Sequence, residues 1–284
     1  MHESSIFVKL TNEYYQFTAA EKKVADYVVS NSLTTQTLSI SELAEACGVA
    51  DATVSRFCRH LGYEGFAAFK LAIATSAATR QASNPLSGEV TEEDSIPDLA
   101  KKLAGVNINA ILETQALLHP ETIEKAADVL LAADKVLCMG EGGSMIMAQE
   151  AAHLFSTAFS GFFPVTDSHL QAIAASQLTQ RDAILYFSYS GATTGLMDVT
   201  RVAKAMGAPL ILITRYPKSP GANDATIVLQ CGSTESPLQL GSIPARVAQL
   251  YLVDILFSEA CHRDLEGVRD RRALVAQALS DKHV

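Results

Sequence analysis

The chain has 284 residues and a formal net charge of −9, long for one domain and comfortable for two. No apolar run reaches the roughly 18 residues of a membrane helix, and the start MHESSIFVKLTNEYY is too polar for a signal peptide, so a cytoplasmic protein without a membrane partner is expected. The acidic balance excludes non-specific coating of nucleic acid. It is uneven, however: residues 1–80 hold seven Lys/Arg against eight Asp/Glu, and a near-neutral domain still binds DNA when its cations share one face.

Before residue 80 every segment reads as helix. Thr18 with Glu21 forms a capping box, and Val24, Tyr27 and Val28 follow on one face. In LSISELAEACGVADATVSRFCRHLGY (38–63), Ser39 with Glu42 makes a second box, and Ile40, Leu43, Ala44 and Cys47 form an apolar stripe. Gly48-Val49 turns the chain, and Asp51 is placed to cap a second helix with the stripe Val54, Phe57, Cys58 and Leu61, stopped by Gly62. Two short helices joined by a tight glycine turn form a helix-turn-helix. The far side of the second helix presents Ala52, Ser55, Arg56 and Arg59, flanked by Thr53 and His60, with no acid. Small residues let a helix sink into a major groove, where arginine bonds guanine or phosphate. These six residues are the expected contacts to double-stranded operator DNA, with Arg56 the expected base reader.

RQASNPLSGEVTEEDSIP (80–97) has no sustained apolar period and reads as a linker, giving a DNA-binding domain over 1–79 and a second domain over 98–284. There, helices are expected at 99–118 and 120–132. Strands are expected at 135–140, 162–165, 183–187, 209–214 and 226–230, alternating with helices at 143–159, 169–177 and 194–206. A long closing helix is expected at 243–261. Five short apolar runs separated by helices predict a parallel sheet covered on both faces. The five cysteines are scattered, without a C-x-x-C pair, and read as small buried hydrophobes with reduced thiols.

In YFSYSGATTG (186–195) a strand turns into a helix amid hydroxyls. Helix starts hold anions through unpaired amides and the macrodipole. Ser188, Ser190 and Thr193 add hydroxyl donors, and Gly191 is expected to let the backbone approach the anion. A second turn, GEGGSM (140–145), puts Ser144 at the start of another helix, and ligands of open parallel sheets bind at the strands' carboxyl ends. The pattern predicts a pocket for a small phosphate monoester. Dinucleotide binding is the rival, but Met145 stands where the third glycine belongs, although Asp167 follows the second strand as a ribose-binding acid does. Glu235, after the last strand, is placed to bond sugar hydroxyls, and His169 to donate to a ligand. No cofactor, metal or catalytic residue is assigned.

LSISELAEACGVADATVSRFCRHLGYEGFAAFK, SYSGAT and IPARVAQLYLVDILF together resemble the RpiR family of bacterial transcription regulators. The first is similar to their helix-turn-helix, and the remainder to their SIS (sugar isomerase) domain. The resemblance implies a flavodoxin-like, doubly wound second domain and a homodimer or tetramer regulating sugar catabolism. It also implies a phosphorylated sugar that changes operator affinity. By position, Ser144 matches the family's first-turn serine, Ser188, Ser190 and Thr193 its phosphate loop, and Glu235 the acid near the sugar carbons. Arg215 and Lys218 stand near the pocket-edge loop. The alternative is an aldose–ketose isomerase using Glu235 or His169 as base; a fused DNA-binding head favours sensing.

Overall fold

The computed structural model describes residues 6–83, 90–233 and 243–280. The chain divides into two compact units, Met1–Val106 and Asn107–Val284. Residues 84–89, within the expected linker, lie outside the described residues, as does Glu235.

The first unit is helical: α1 (Ile6–Glu13), a 3-10 turn (Tyr14–Gln16), α2 (Ala19–Ser30), α3 (Ser32–Thr35), α4 (Ile40–Cys47), α5 (Asp51–His60) and α6 (Phe66–Ser83). Both capping boxes form as the sequence predicts, Thr18 with Glu21 and Ser39 with Glu42. Gly48 ends α4 in the left-handed region at φ 61°, and the amides of Gly48 and Val49 close back on Glu45 and Ala44. One local expectation fails. Asp51 does not cap α5, whose N-cap is Ala50; its carboxylate instead accepts the Ser41 hydroxyl at 2.5 Å, tying α4 to α5. The stripes of α2, α4 and α5 meet in one core, where Phe57 packs edge-on against Phe17 (5.2 Å) and Phe69 (5.7 Å).

Helix α7 (Ile96–Ala116) leads into the second unit, followed by α8 (Pro120–Ala132) and β1 (Lys135–Gly140). Next come α9 (Gly143–Ser156), β2 (Phe162–Val165), α10 (Ser168–Ala175), β3 (Asp182–Phe187) and α11 (Thr194–Met206). The chain ends with β4 (Leu210–Thr214), α12 (Pro220–Asp224), β5 (Ile227–Gln230), α13 (Ile243–Arg263) and α14 (Leu265–Ser280). All five strands are parallel in the order β2-β1-β3-β4-β5. Alternate side chains serve opposite faces. Val136, Cys138, Leu185, Phe187 and Ile213 pack with α8, α9 and α13, whereas Leu137, Met139, Ile184, Tyr186 and Leu212 pack with α10 to α12. Helix α13 does not close the chain as expected. Helix α14 follows it and buries only Val268, so its apolar periodicity is too weak to stand out.

All five thiols are unpaired, four of them buried, and burial pushes Cys58 and Cys138 up to about 12. Among the described residues, no helix is long and apolar enough to cross a membrane.

The Phe57 ring is fully buried at the centre of the first unit's core. Phe57→Ala is expected to cost about 3–5 kcal/mol in denaturant unfolding. A loss under 1 kcal/mol would mean that α5 is not packed through this ring.

Candidate functional site

Two regions carry the side chains from which function can be argued. The first is the outer face of α5. Val54, Phe57 and Cys58 are buried, while Ala52, Arg56 and Arg59 are exposed and Thr53 and Ser55 half-buried. Arg56 donates to Thr53 at 3.5 Å, and neither Arg56 nor Arg59 is ion-paired with a described acid. His60, expected on the flank, is already engaged. Its Nδ1 lies 3.1 Å from Glu21 Oε1 and its ring stands edge-on to Phe17. Burial raises the Glu21 pKa, but the Thr18 amide and His60 outweigh it and hold this carboxyl below its usual range.

The second region is a cavity of about 250 Å³ at the carboxyl ends of β1 and β3. From β1 one crossover passes through α9 to β2, and from β3 another passes through α11 to β4, on opposite faces. This divergence opens a crevice at the switch point of a doubly wound sheet. The described lining comprises Glu141, Gly143 and Ser144 from the first turn, Phe187 to Ser190 and Thr193 from the second, and Ala245, Arg246 and Gln249 from α13. The structure therefore brings Ser144, Ser188, Ser190 and Thr193 together. Ser188 is buried, and its oxygen accepts the Gly191 amide at 3.2 Å, which leaves its hydroxyl proton to donate elsewhere. Ser190 Oγ accepts the Ala192 amide at 3.3 Å. Thr193 is the N-cap of α11 without capping it; its buried Oγ1 makes no hydrogen bond of normal geometry, though its proximity to the Tyr186 hydroxyl works against the raised pKa of that phenol.

Gly191 is not among the lining residues, and its amide is spent on Ser188. Glycine is needed there for another reason. The backbone sits at φ 62°, and a Cβ would stand 2.0 Å from Ser219 Oγ. His169 is exposed and absent from the described lining, and Asp167 caps α10 by accepting the Leu170 amide at 2.9 Å. Arg215 is buried and absent from the described lining.

Two buried networks hold the crevice walls. Gln171 donates to the carbonyls of Gly140 (2.8 Å) and Val165 (2.9 Å) and accepts the Tyr186 hydroxyl (3.3 Å), pinning the ends of β1, β2 and β3. Burial first, and the Glu141 charge second, push the Tyr186 phenol above its ordinary pKa. On the other side, the Tyr189 hydroxyl donates to the Ser233 carbonyl (3.1 Å), and the Ser233 amide donates to Glu113 of α7 (3.0 Å). Ser233 has φ 74°, an uncommon conformation for a residue with a side chain. Arg215 lies 3.8 Å from Glu113 and donates to the Cys231 carbonyl. The cavity wall and α7 thus share one chain of hydrogen bonds.

Residues 5–80 match the helix-turn-helix domain of the rpiR family, and residues 129–259 match the SIS domain. An HTH-type transcriptional regulator of Caldanaerobacter subterraneus is 37% identical over 85% of each chain. The chain belongs to the RpiR family of transcriptional regulators. In fold, this RpiR-family chain is similar to the Vibrio vulnificus NanR protein solved in complex with ManNAc-6P, with TM-score 0.64 and 24% identity, covering 98% of this chain and 99% of that one. The sugar isomerase domain of the Sphaerobacter thermophilus RpiR transcription factor matches with TM-score 0.58 and 22% identity, covering 63% of this chain and 98% of that one.

In this RpiR-family chain, sequence reasoning assigned no role to the charged and amide side chains of the lining, Glu141, Arg246 and Gln249. Arg246 and Gln249 stand one turn apart on α13, and their signal was two polar residues i, i+3 within an otherwise apolar helix start. The Arg246 Nε is buried without a hydrogen-bond partner. Gln249 is only 2% exposed and its side chain bonds no described residue. Glu141 lies inside GEGGSM, where only Ser144 was assigned a ligand role.

Gly191→Ala is expected to lose about 1–3 kcal/mol from backbone strain alone, with the Ser219 clash adding to it. Urea unfolding of the full chain measures the loss. Wild-type stability would contradict the left-handed turn at this position.

Proposed function

We propose that this RpiR-family regulator is a sensor whose operator affinity changes when a phosphorylated sugar occupies the β1/β3 cavity. Residues 1–79 read DNA, 80–97 form the linker and 98–284 hold the effector. In this reading Ala52, Thr53, Ser55, Arg56, Arg59 and His60 face the operator. Ser144, Ser188, Ser190 and Thr193 hold the phosphate, and Gly191 shapes the loop from behind. The effector is one of the sugar phosphates of carbohydrate metabolism, and Glu235 bonds its hydroxyls.

The observation that carries the reading is the convergence of four hydroxyls from two helix starts on a cavity lined by an arginine whose buried Nε has no hydrogen-bond partner among the described residues. A buried polar group without a partner costs about 1–3 kcal/mol, and an anionic, hydroxyl-rich ligand offsets that cost for Arg246. Effector binding reaches α7 through Tyr189, Ser233 and Glu113. The protein acts as a homodimer or tetramer. Large apolar side chains of α7 exposed in the single chain (Ile96, Leu103, Ile108 and Leu112) supply area for self-association. Two heads in a dimer would read half-sites about one helical turn apart, or a multiple of it. The regulator is not an enzyme in this reading; turnover of hexose or pentose phosphates by the purified protein would favour the isomerase alternative.

Ser190→Asp places a negative charge in the cradle. It is expected to abolish the phosphosugar response while operator binding stays within twofold of wild type, as read by fluorescence anisotropy. A surviving response would move the phosphate elsewhere. Arg56→Ala is expected to cost about 1–3 kcal/mol on the operator, with little loss on random DNA, if Arg56 reads a base. Equal losses on both would make it a phosphate contact.

A further inference from the structure

Glu141 is an acid inside a cavity otherwise furnished for an anion. It lines that cavity beside Ser188, Ser190 and Thr193. Its carboxylate rests on the first turn of α11: a Cβ added at Gly195 would stand 2.2 Å from Glu141 Oε1. The first intrahelical bond of α11 runs from the Met197 amide to the Thr193 carbonyl, so the amides of Thr194, Gly195 and Leu196 precede the ladder. The carboxylate thus lies against the first turn of a helix, whose start carries partial positive charge, without accepting any of its amides. It makes no hydrogen bond or ion pair with any described residue, Arg246 included. Its backbone belongs to a turn rich in glycine, Gly140-Glu141-Gly142-Gly143, with Gly142 at φ 55°.

A second observation marks this space as a ligand's. Gln249, 98% buried, lines the same cavity from α13, and its side chain bonds no described residue.

From this placement we infer that Glu141 is a tethered anion that rests at the start of α11 until a phosphate monoester displaces it. The inference rests on reading the cavity as a phosphate site. Two anions do not share one helix start in a partly buried space without repelling each other. Glu141 therefore lowers the affinity for every phosphate ligand and restricts the cavity to ligands whose charge and contacts exceed its own. Its departure frees the 140–143 turn, from which α9 begins, so occupancy is converted into movement of that turn. Position 195 is glycine because any side chain there would occupy the carboxylate's resting place. A conventional sugar contact would behave in the opposite way: a carboxylate accepting ligand hydroxyls raises affinity.

Isothermal titration calorimetry of the full-length protein with inorganic phosphate and with glucose 6-phosphate decides the sign. Glu141→Gln is nearly isosteric and removes the charge. It is expected to bind both probes about tenfold more tightly than wild type, the effect of removing a like charge from the site. Unchanged or weaker binding overturns the tethered-anion role. If neither wild type nor variant binds either probe, the phosphate-site reading fails first and takes this inference with it. A crystal of the wild-type protein grown with phosphate gives an independent check. The carboxylate should have left Gly195, and a structure with phosphate in the cradle and Glu141 still against Gly195 would overturn the inference.

Discussion

The parallel pairing of β1 with β3 governs the rest of this molecule. Their register runs from Lys135↔Asp182 to Gly140↔Phe187, so both strands end at the same level. Their crossover helices leave to opposite faces, and the two chains must separate at once. What lies between them is an opening flanked by the first turns of α9 and α11, with amides that no helix partner can satisfy. A ligand crevice is therefore a consequence of topology before any side chain is chosen. The choice of Ser144, Ser188, Ser190 and Thr193 gives that crevice its chemistry.

The walls are rigid where they need to be. Gln171 ties three strand ends with one amide, and the Tyr189–Ser233–Glu113 chain, with Arg215 buried against it, ties the second turn to α7. Burying a charged group is tolerated only where partners surround it, and Arg215 has them. The half-buried Arg246, on the third wall, keeps a buried Nε without a partner among the described residues. Arg215 is thus a buried, partnered charge outside the described lining, whereas Arg246 lines the cavity with its Nε unsatisfied.

Much of this was legible from residue order alone, because it rests on local rules. Thr18–Glu21 and Ser39–Glu42 are capping boxes at fixed spacing, the α5 stripe follows helical period, and the hydroxyls of 188–193 sit at a strand-to-helix turn. What escaped depends on distant neighbours. Asp51 has the spacing of a cap, but Ser41 on the preceding helix takes its carboxylate. His60 lies on the DNA-facing flank by angle, yet Glu21 holds its ring. Gly191 is a glycine for a reason that residue order does not show, since a Cβ there would meet Ser219 on the loop after β4. Arg246 and Gln249 reach the crevice only because α13 returns to the sheet about fifty residues after the 188–193 turn, and no periodicity reports that return. Helix α14 escaped because one buried valine leaves little pattern to read.

The central claim is that one small anionic ligand is sensed at the crevice and felt at the DNA. Linkage makes this measurable from the sugar side. An operator selected from random sequence by the full-length protein supplies the DNA, and a panel of sugar phosphates is titrated into the free protein and into the operator complex. The account predicts a sugar phosphate whose affinity differs between the two, by the same factor that it changes operator affinity. Identical affinities with and without operator, for every sugar phosphate that binds, would contradict it.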